Sequence, residues 1–262
     1  MNRSIRKAVV IGSGVMGSGI AAHLANSGIS CLLLDMVPKE LTQEEAAKGL
    51  TLDHPAVRSR LAATAIERLK KTTPSPLYVP DFASLITPGN LEDDLQRISD
   101  ADWVIEAVTE NLRIKKDLLS RLEPYWRPGT IVSTNTSGIS VSEISADAGP
   151  ELRKHFMGIH FFNPPRYMKL VEIIPGKDTD PELVSFMKSL CERKLGKGVV
   201  IARDTPNFIA NRIGIFGVLA ALREMLERGF TVEEVDAVTG PAIGRPKSAT
   251  FRTLDMVGLD TV

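Results

Sequence analysis

The chain has 262 residues, 43% of them hydrophobic and 24% charged, the mix of an ordinary soluble globular protein with material for one large domain or two small ones. Lys plus Arg and Asp plus Glu number 32 each, so the formal net charge is zero and no basic excess marks a nucleic-acid binder. No signal-peptide core follows the basic Met1–Lys7 stretch, and no apolar window of about 18 residues spans a membrane, so the expected location is cytoplasmic; Cys31 and Cys191 lack the spacing of a disulfide framework or a metal site and read as small buried hydrophobes.

Ala8-Val9-Val10-Ile11 is a continuous apolar run, as a strand buried on both faces requires. The turn Gly12-Ser13-Gly14-Val15-Met16-Gly17 follows, then a helical pattern to Asn26 closed by Gly28, then a second apolar run from Cys31 to Leu34 ending in Asp35. This is a βαβ unit, whose right-handed crossover makes the strands parallel. A helical pattern covers 42–71, with Val57, Leu61, Ala65 and Leu69 on one face. After a turn-rich break at 72–80 come a strand at 103–107, a charged helix at 111–122 and a strand at 130–134.

Residues 156–162 and 169–174 are strand-like runs joined by a connection too short for a crossover helix, so they pair antiparallel. A helix at 181–193 and a last strand at 198–202 follow. After Asp204 the character changes to helix alone: 208–228 closed by Gly229, then a capping box of Thr231 and Glu234. The division expected is 1–204, a doubly wound α/β domain of Rossmann type with a mostly parallel sheet, and 205–262, a smaller all-helical domain.

The glycine loop sits between a buried strand and a helix. Gly12 permits the tight turn, Gly14 lets a pyrophosphate approach, and Gly17 lets the helix lie against the strand. The helix N-terminus offers N–H groups and a partial positive charge. Asp35, 18 residues past Gly17, accepts from both ribose hydroxyls and repels a 2′-phosphate, which points to NAD rather than NADP. A flavin nucleotide uses the same turn and stays an alternative. Val15, Met16 and Ala107 complete the loop's candidate cofactor contacts.

Centring the hairpin turn on Arg166 puts His160 opposite Glu172, with Cβ atoms about 4.5–5.5 Å apart. A carboxylate on one imidazole nitrogen fixes the tautomer and stabilises the imidazolium, as a general base needs. A merely structural hydrogen bond satisfies the same spacing. His23, His54 and His155 have no such partner in the sequence pattern.

Gly12-Ser13-Gly14-Val15-Met16-Gly17, Asn135-Thr136-Ser137, Gly158-Ile159-His160-Phe161-Phe162-Asn163-Pro164, Asn207-Phe208-Ile209-Ala210-Asn211-Arg212 and the closing Leu254-Asp255-Met256-Val257-Gly258-Leu259-Asp260 occur in that order. Together they resemble the L-3-hydroxyacyl-CoA dehydrogenases over essentially the whole chain. The resemblance implies an NAD domain, a helical domain that closes over the substrate and supplies homodimer contacts, and oxidation of the 3-hydroxyl of an acyl-CoA. It implies His160 as general base, Glu172 as its partner, Ser137 on the reacting oxygen and Asn211 on the substrate. Glu110 and Lys115 match positions near the cofactor ribose, and Asn135 and Asn163 positions near the nicotinamide and acyl carbonyl. Arg58, Arg60, Arg68, Lys70 and Lys71 lie where the family approaches CoA, or form a solvated face. The stretch 244–252 resembles the longer proteins fused to an enoyl-CoA hydratase domain, and family members continue past Val262, so the helical domain is expected to be incomplete. A dehydrogenase of a free hydroxy acid and a non-catalytic NAD-binding module are the competing readings.

Overall fold

The computed structural model describes residues 3–257 and divides at residue 208 into two compact units. In the first unit β1 (Lys7–Ile11) leads through α1 (Val15–Asn26) to β2 (Ser30–Asp35). Three short helices follow, α2 (Gln43–Ala47), α3 (Pro55–Arg58) and α4 (Arg60–Leu69), then β3 (Ile86–Asn90), β4 (Trp103–Glu106), α5 (Leu112–Leu122) and β5 (Ile131–Thr134). Two more short helices, α6 (Val141–Ile144) and α7 (Pro150–Lys154), precede the hairpin of β6 (Phe156–Phe161) and β7 (Leu170–Pro175). Helix α8 (Pro181–Arg193) and strand β8 (Gly198–Ile201) complete the sheet, in the order β3-β2-β1-β4-β5-β6-β7-β8. Among the described residues only the β6–β7 pairing is antiparallel, which is the doubly wound, mostly parallel sheet expected.

Period-two alternation splits the core into two layers. Ala8, Val10, Leu33, Trp103, Ile105, Ile131, Ile159 and Phe161 pack toward the α1 side, with Ile20 and Leu24. Val9, Ile11, Leu34, Val104, Val132 and Ile174 pack toward the α5 side, with Leu118 and Leu122. The same alternation sends Glu106, Thr134, His160 and Glu172 to the α5 side. Cys31 and Cys191 are free thiols buried in the first layer, and burial pushes the Cys191 thiol up to about 12.

Two expectations need correction. The helical stretch over 42–71 is broken into α2, α3 and α4, because Gly49 turns at φ +67° and Pro55 starts a new helix at its first turn. The break shifts the register, so Ala62, Ala65, Ile66 and Leu69 form the buried face and Leu61 is only half-buried. Strand β3 was not foreseen, since Pro88 and Gly89 argue against a strand. It is an edge strand, where a missing N–H is tolerated.

His23 on α1 is buried and its Nε2 lies 3.0 Å from the Leu195 carbonyl, while Nδ1 meets no partner. Burial, with the Lys197 charge nearby, lowers its pKa to about 4. The folded state therefore binds fewer protons than the unfolded state between about 4 and the ordinary 6.5. This contribution is complete above 6.5 and is lost as pH falls through that window. By pH 5 the loss amounts to about 2 kcal/mol. Urea midpoints of wild type and His23→Phe at pH 7 and pH 5 test this: the wild type loses more on acidification, and equal losses refute it.

In the second unit α9 (Ala210–Arg228), α10 (Val232–Thr239) and α11 (Phe251–Val257) are the helices. Helix α9 starts after Asn207 and Phe208, which both have positive φ, and ends at left-handed Gly229. The capping box forms: Thr231 N–H donates to Glu234 Oε2 at 2.8 Å, and Glu234 N–H to Thr231 Oγ1 at 3.2 Å. Asp236 accepts the N–H groups of Thr250, Phe251 and Arg252 and so caps α11. The last part of the 254–260 motif, from Gly258, lies outside the described residues. Among the described residues no helix is long and apolar enough to cross a membrane.

Candidate active site

The strand order reverses direction between β1 and β4, and the loops at the carboxyl ends of β1, β2, β4, β5 and β6 converge there. Open α/β sheets bind ligands at this point. The three glycines of the first loop are fixed for different reasons. Gly12 has φ +100°, and a Cβ on it comes within 2.5 Å of the Ala107 carbonyl. A Cβ on Gly17 overlaps the Gly12 carbonyl oxygen at 1.8 Å. A Cβ on Gly14 meets nothing within 4 Å, although Gly14 is the N-cap of α1 and no side chain caps that helix. Space beside an uncapped helix N-terminus suits a pyrophosphate. Val15 is 63% exposed at the same turn, and Met16 packs against the α1-side core.

Asp35 closes the loop from the end of β2. Its Oδ2 accepts the Ser13 N–H at 2.7 Å and the Ser13 hydroxyl at 2.5 Å, and Oδ1 accepts the Met36 N–H. The carboxylate is thus fixed beside the glycine loop, where an acid in this fold hydrogen-bonds a ribose diol. These residues fit a dinucleotide.

On the hairpin, His160 pairs with Glu172 in register, and Nδ1 lies 2.9 Å from Glu172 Oε2. His160 and Glu172 are 4% and 1% exposed, so the couple is shielded from water. The ring lies against Phe162 and Phe208, with centroids at 4.3 and 5.9 Å. Asn135, at the end of β5, ties this strand to its neighbour by accepting the Phe161 N–H at 2.9 Å. Ser137 is exposed two residues on, and Asn163 is exposed where β6 enters the hairpin turn.

Glu110 and Lys115 lie on the α5 side of β4. Lys115 is buried and touches Glu106 Oε1 at 2.8 Å and Glu110 Oε2 at 3.2 Å. Burial works against ionising Glu110, but the Lys115 charge, the Thr136 hydroxyl and the Ser137 N–H outweigh it and hold its carboxyl below the usual range. Asn211 lies on α9, in the second unit. Three of the five basic residues expected near CoA are engaged in ion pairs: Arg58 with Asp93, Arg60 with Glu45, and Lys70 with Glu67.

Sequence reasoning missed Glu106, Ser13 and Lys197. Glu106 is a charged residue closing an apolar strand, which was a usable signal. Lys197 donates to the carbonyls of Pro165 and, at 2.7 Å, Met168, so it pins the turn joining His160 to Glu172. Burial lowers its pKa to about 8. Nothing in the local sequence marks it.

Residues 7–205 match the model described as 3-hydroxyacyl-CoA dehydrogenase, NAD binding domain, and residues 208–262 the model described as 3-hydroxyacyl-CoA dehydrogenase, C-terminal domain. The chain is 59% identical over 261 residues to a Bacillus subtilis protein named "Probable 3-hydroxyacyl-CoA dehydrogenase", covering 100% of this chain and 33% of that protein. It is 37% identical over 262 residues to a Rickettsia felis protein named as a fatty acid oxidation complex trifunctional enzyme, covering 100% of this chain and 34% of that one. The chain thus spans about a third of the length of both relatives. Its structure is similar to that of the (S)-3-hydroxybutyryl-CoA dehydrogenase of Ralstonia eutropha, with a TM-score of 0.75 and 28% identity, covering 98% of this chain and 84% of that one.

Proposed function

The chain belongs to the 3-hydroxyacyl-CoA dehydrogenase family, with that family's NAD-binding domain over residues 7–205, and on that premise we propose that it oxidises the 3-hydroxyl of an (S)-3-hydroxyacyl-CoA to the ketone in fatty acid β-oxidation. The observation that carries this reading is the buried His160–Glu172 couple, 2.9 Å apart, on the same sheet whose first turn forms the dinucleotide cradle.

Each residue then has a task. With Glu172 accepting from Nδ1–H, His160 keeps the Nε2 lone pair for the substrate hydroxyl proton. Ser137 donates a hydrogen bond to the reacting oxygen, and Asn211 helps hold the substrate. Asp35 takes the adenosine ribose, Gly12, Gly14, Val15, Met16, Gly17 and Ala107 line the nucleotide, Glu110 and Lys115 lie near the cofactor ribose, and Asn135 and Asn163 near the nicotinamide and the acyl carbonyl. NAD, when bound, supplies the acceptor for the hydride from C3. Holding the two reactants at bonding distance provides much of the acceleration.

Three further readings belong to the same proposal. The protein works in the cytoplasm and acts as a homodimer through the helical unit. Exposed Ile213, Phe216, Leu219 and Leu226 on α9 support the second. A fused enoyl-CoA hydratase domain in a longer parent protein belongs to the proposal as well, supported by the resemblance of 244–252 to fused proteins and by the relative named as a trifunctional enzyme.

The experiment is NADH oxidation with acetoacetyl-CoA against free acetoacetate. The thioester is reduced and the free acid is not. Equal rates with both would favour a free hydroxy-acid dehydrogenase, and NADH binding with no turnover on either would favour a non-catalytic module.

A further inference from the structure

A polar chain runs from Glu106, to which no task has been given so far, through Lys115 to Glu110. Glu106 closes β4, is 4% exposed, and points to the α5 side. Its Oε1 accepts Lys115 Nζ and the Val108 N–H, both at 2.8 Å, and its Oε2 accepts the Thr134 hydroxyl at 2.5 Å. Thr134 Oγ1 in turn accepts the Thr136 N–H at 3.1 Å. From the other side Lys115 reaches Glu110 Oε2. Glu110 Oε1 receives three donors: the Thr136 hydroxyl at 2.6 Å, the Ser137 N–H at 2.7 Å and the Gly138 N–H at 3.3 Å.

The two arms close on the 134–138 segment. Its residues up to Thr136 are buried, and Ser137 is the first to be exposed. A carboxylate oxygen accepts about two hydrogen bonds, so Glu110 Oε1 is committed to this loop. The Glu106–Lys115 pair, removed from water, gains little over apolar packing, while the Glu110 side chain stays 41% exposed. What an apolar core could not supply is a line of polar contacts that ends on the backbone of one exposed serine, whose N–H Glu110 accepts.

We infer that Glu106, Lys115 and Glu110 are positioning residues that fix the Ser137 hydroxyl toward the reacting oxygen. The inference rests on the reading of Ser137 given under the proposed function. Its mechanism is specific. In Glu106→Gln the amide NH2 must face Thr134, since Lys115 and the Val108 N–H are both donors on the other side. The Thr134 hydroxyl then turns from donor to acceptor, and Lys115 loses one of its two anionic partners. Both arms that set the Ser137 loop shift, with no change in size.

The test is a double-mutant cycle of Glu106→Gln with Ser137→Ala, read in kcat, KM and NADH affinity by fluorescence. Glu106→Gln lowers kcat about tenfold, more than it weakens NADH binding, and causes no further loss of kcat in the Ser137→Ala background. Thr136→Val, which deletes one donor to Glu110 at the loop itself, gives the same pattern and keeps the test available if Glu106→Gln does not fold. Losses that multiply in the double variant, or a loss confined to NADH affinity, overturn the positioning role and leave the Ser137 assignment standing. Wild-type kcat in Ser137→Ala removes the Ser137 assignment itself, and with it this inference.

Discussion

Gly17→Ala is expected to lower the stability of the protein by about 3 kcal/mol or more, seen as a drop in melting temperature of roughly 6–12 °C. The new methyl lands 1.8 Å from the Gly12 carbonyl oxygen, which is backbone and cannot swing aside. Gly12 cannot retreat either, because its own Cβ position already lies 2.5 Å from the Ala107 carbonyl oxygen. Helix α1 must therefore lift from the sheet and release part of a core that includes Ile20 and Leu24. Gly14→Ala is the control. Its methyl meets no protein atom within 4 Å, and φ −62°, ψ −169° suits alanine. Stability should change by no more than about 1 kcal/mol, while NADH affinity falls about tenfold or more, because the methyl fills the space reserved for the pyrophosphate and blocks its hydrogen bonds. Calorimetry and NADH fluorescence separate the two variants. A stable Gly17→Ala, or a Gly14→Ala that binds NADH normally, contradicts the roles given to these glycines.

Glu172→Gln is expected to lower kcat about 10²–10⁴-fold with the fold retained. The side chain keeps its shape, but it loses the charge that stabilises an imidazolium and no longer dictates which His160 nitrogen carries the proton. An amide NH2 facing Nδ1 reverses the tautomer and occupies the Nε2 lone pair needed for the substrate hydroxyl. NADH affinity should stay within about twofold, since the couple lies in the hairpin and not in the nucleotide loop. A kcat within a few-fold of wild type would make the pair structural.

The sequence was most informative where one local rule decides the outcome. The glycine loop, the capping box of Thr231 and Glu234, and the hairpin register that opposes His160 to Glu172 each follow from spacing alone. Strand β3 escaped because its Pro88 and Gly89 are tolerated only at a sheet edge, a fact of topology rather than of local pattern. The 42–71 region misled because a continuous apolar period concealed turns at Gly49 and before Pro55. The Glu106–Lys115–Glu110 chain joins β4, α5 and the loop after β5, and Lys197 meets the hairpin turn some 30 residues before it in the chain; spacing along the sequence does not encode such meetings. Basic residues on α3 and α4 looked like a site for an anion, yet Arg58 and Arg60 are held by Asp93 and Glu45.

The proposed function has this chain perform hydride chemistry on an acyl-CoA with His160 as the base. The most direct measurement mixes the protein with NADH and acetoacetyl-CoA and follows the loss of NADH absorbance, beside His160→Gln with its NADH affinity measured in parallel. The predicted result is turnover in the wild type and a loss of at least about 10²-fold in the variant, with NADH binding unchanged. Turnover that survives in His160→Gln, or a wild type that binds both ligands and oxidises no NADH, would contradict it.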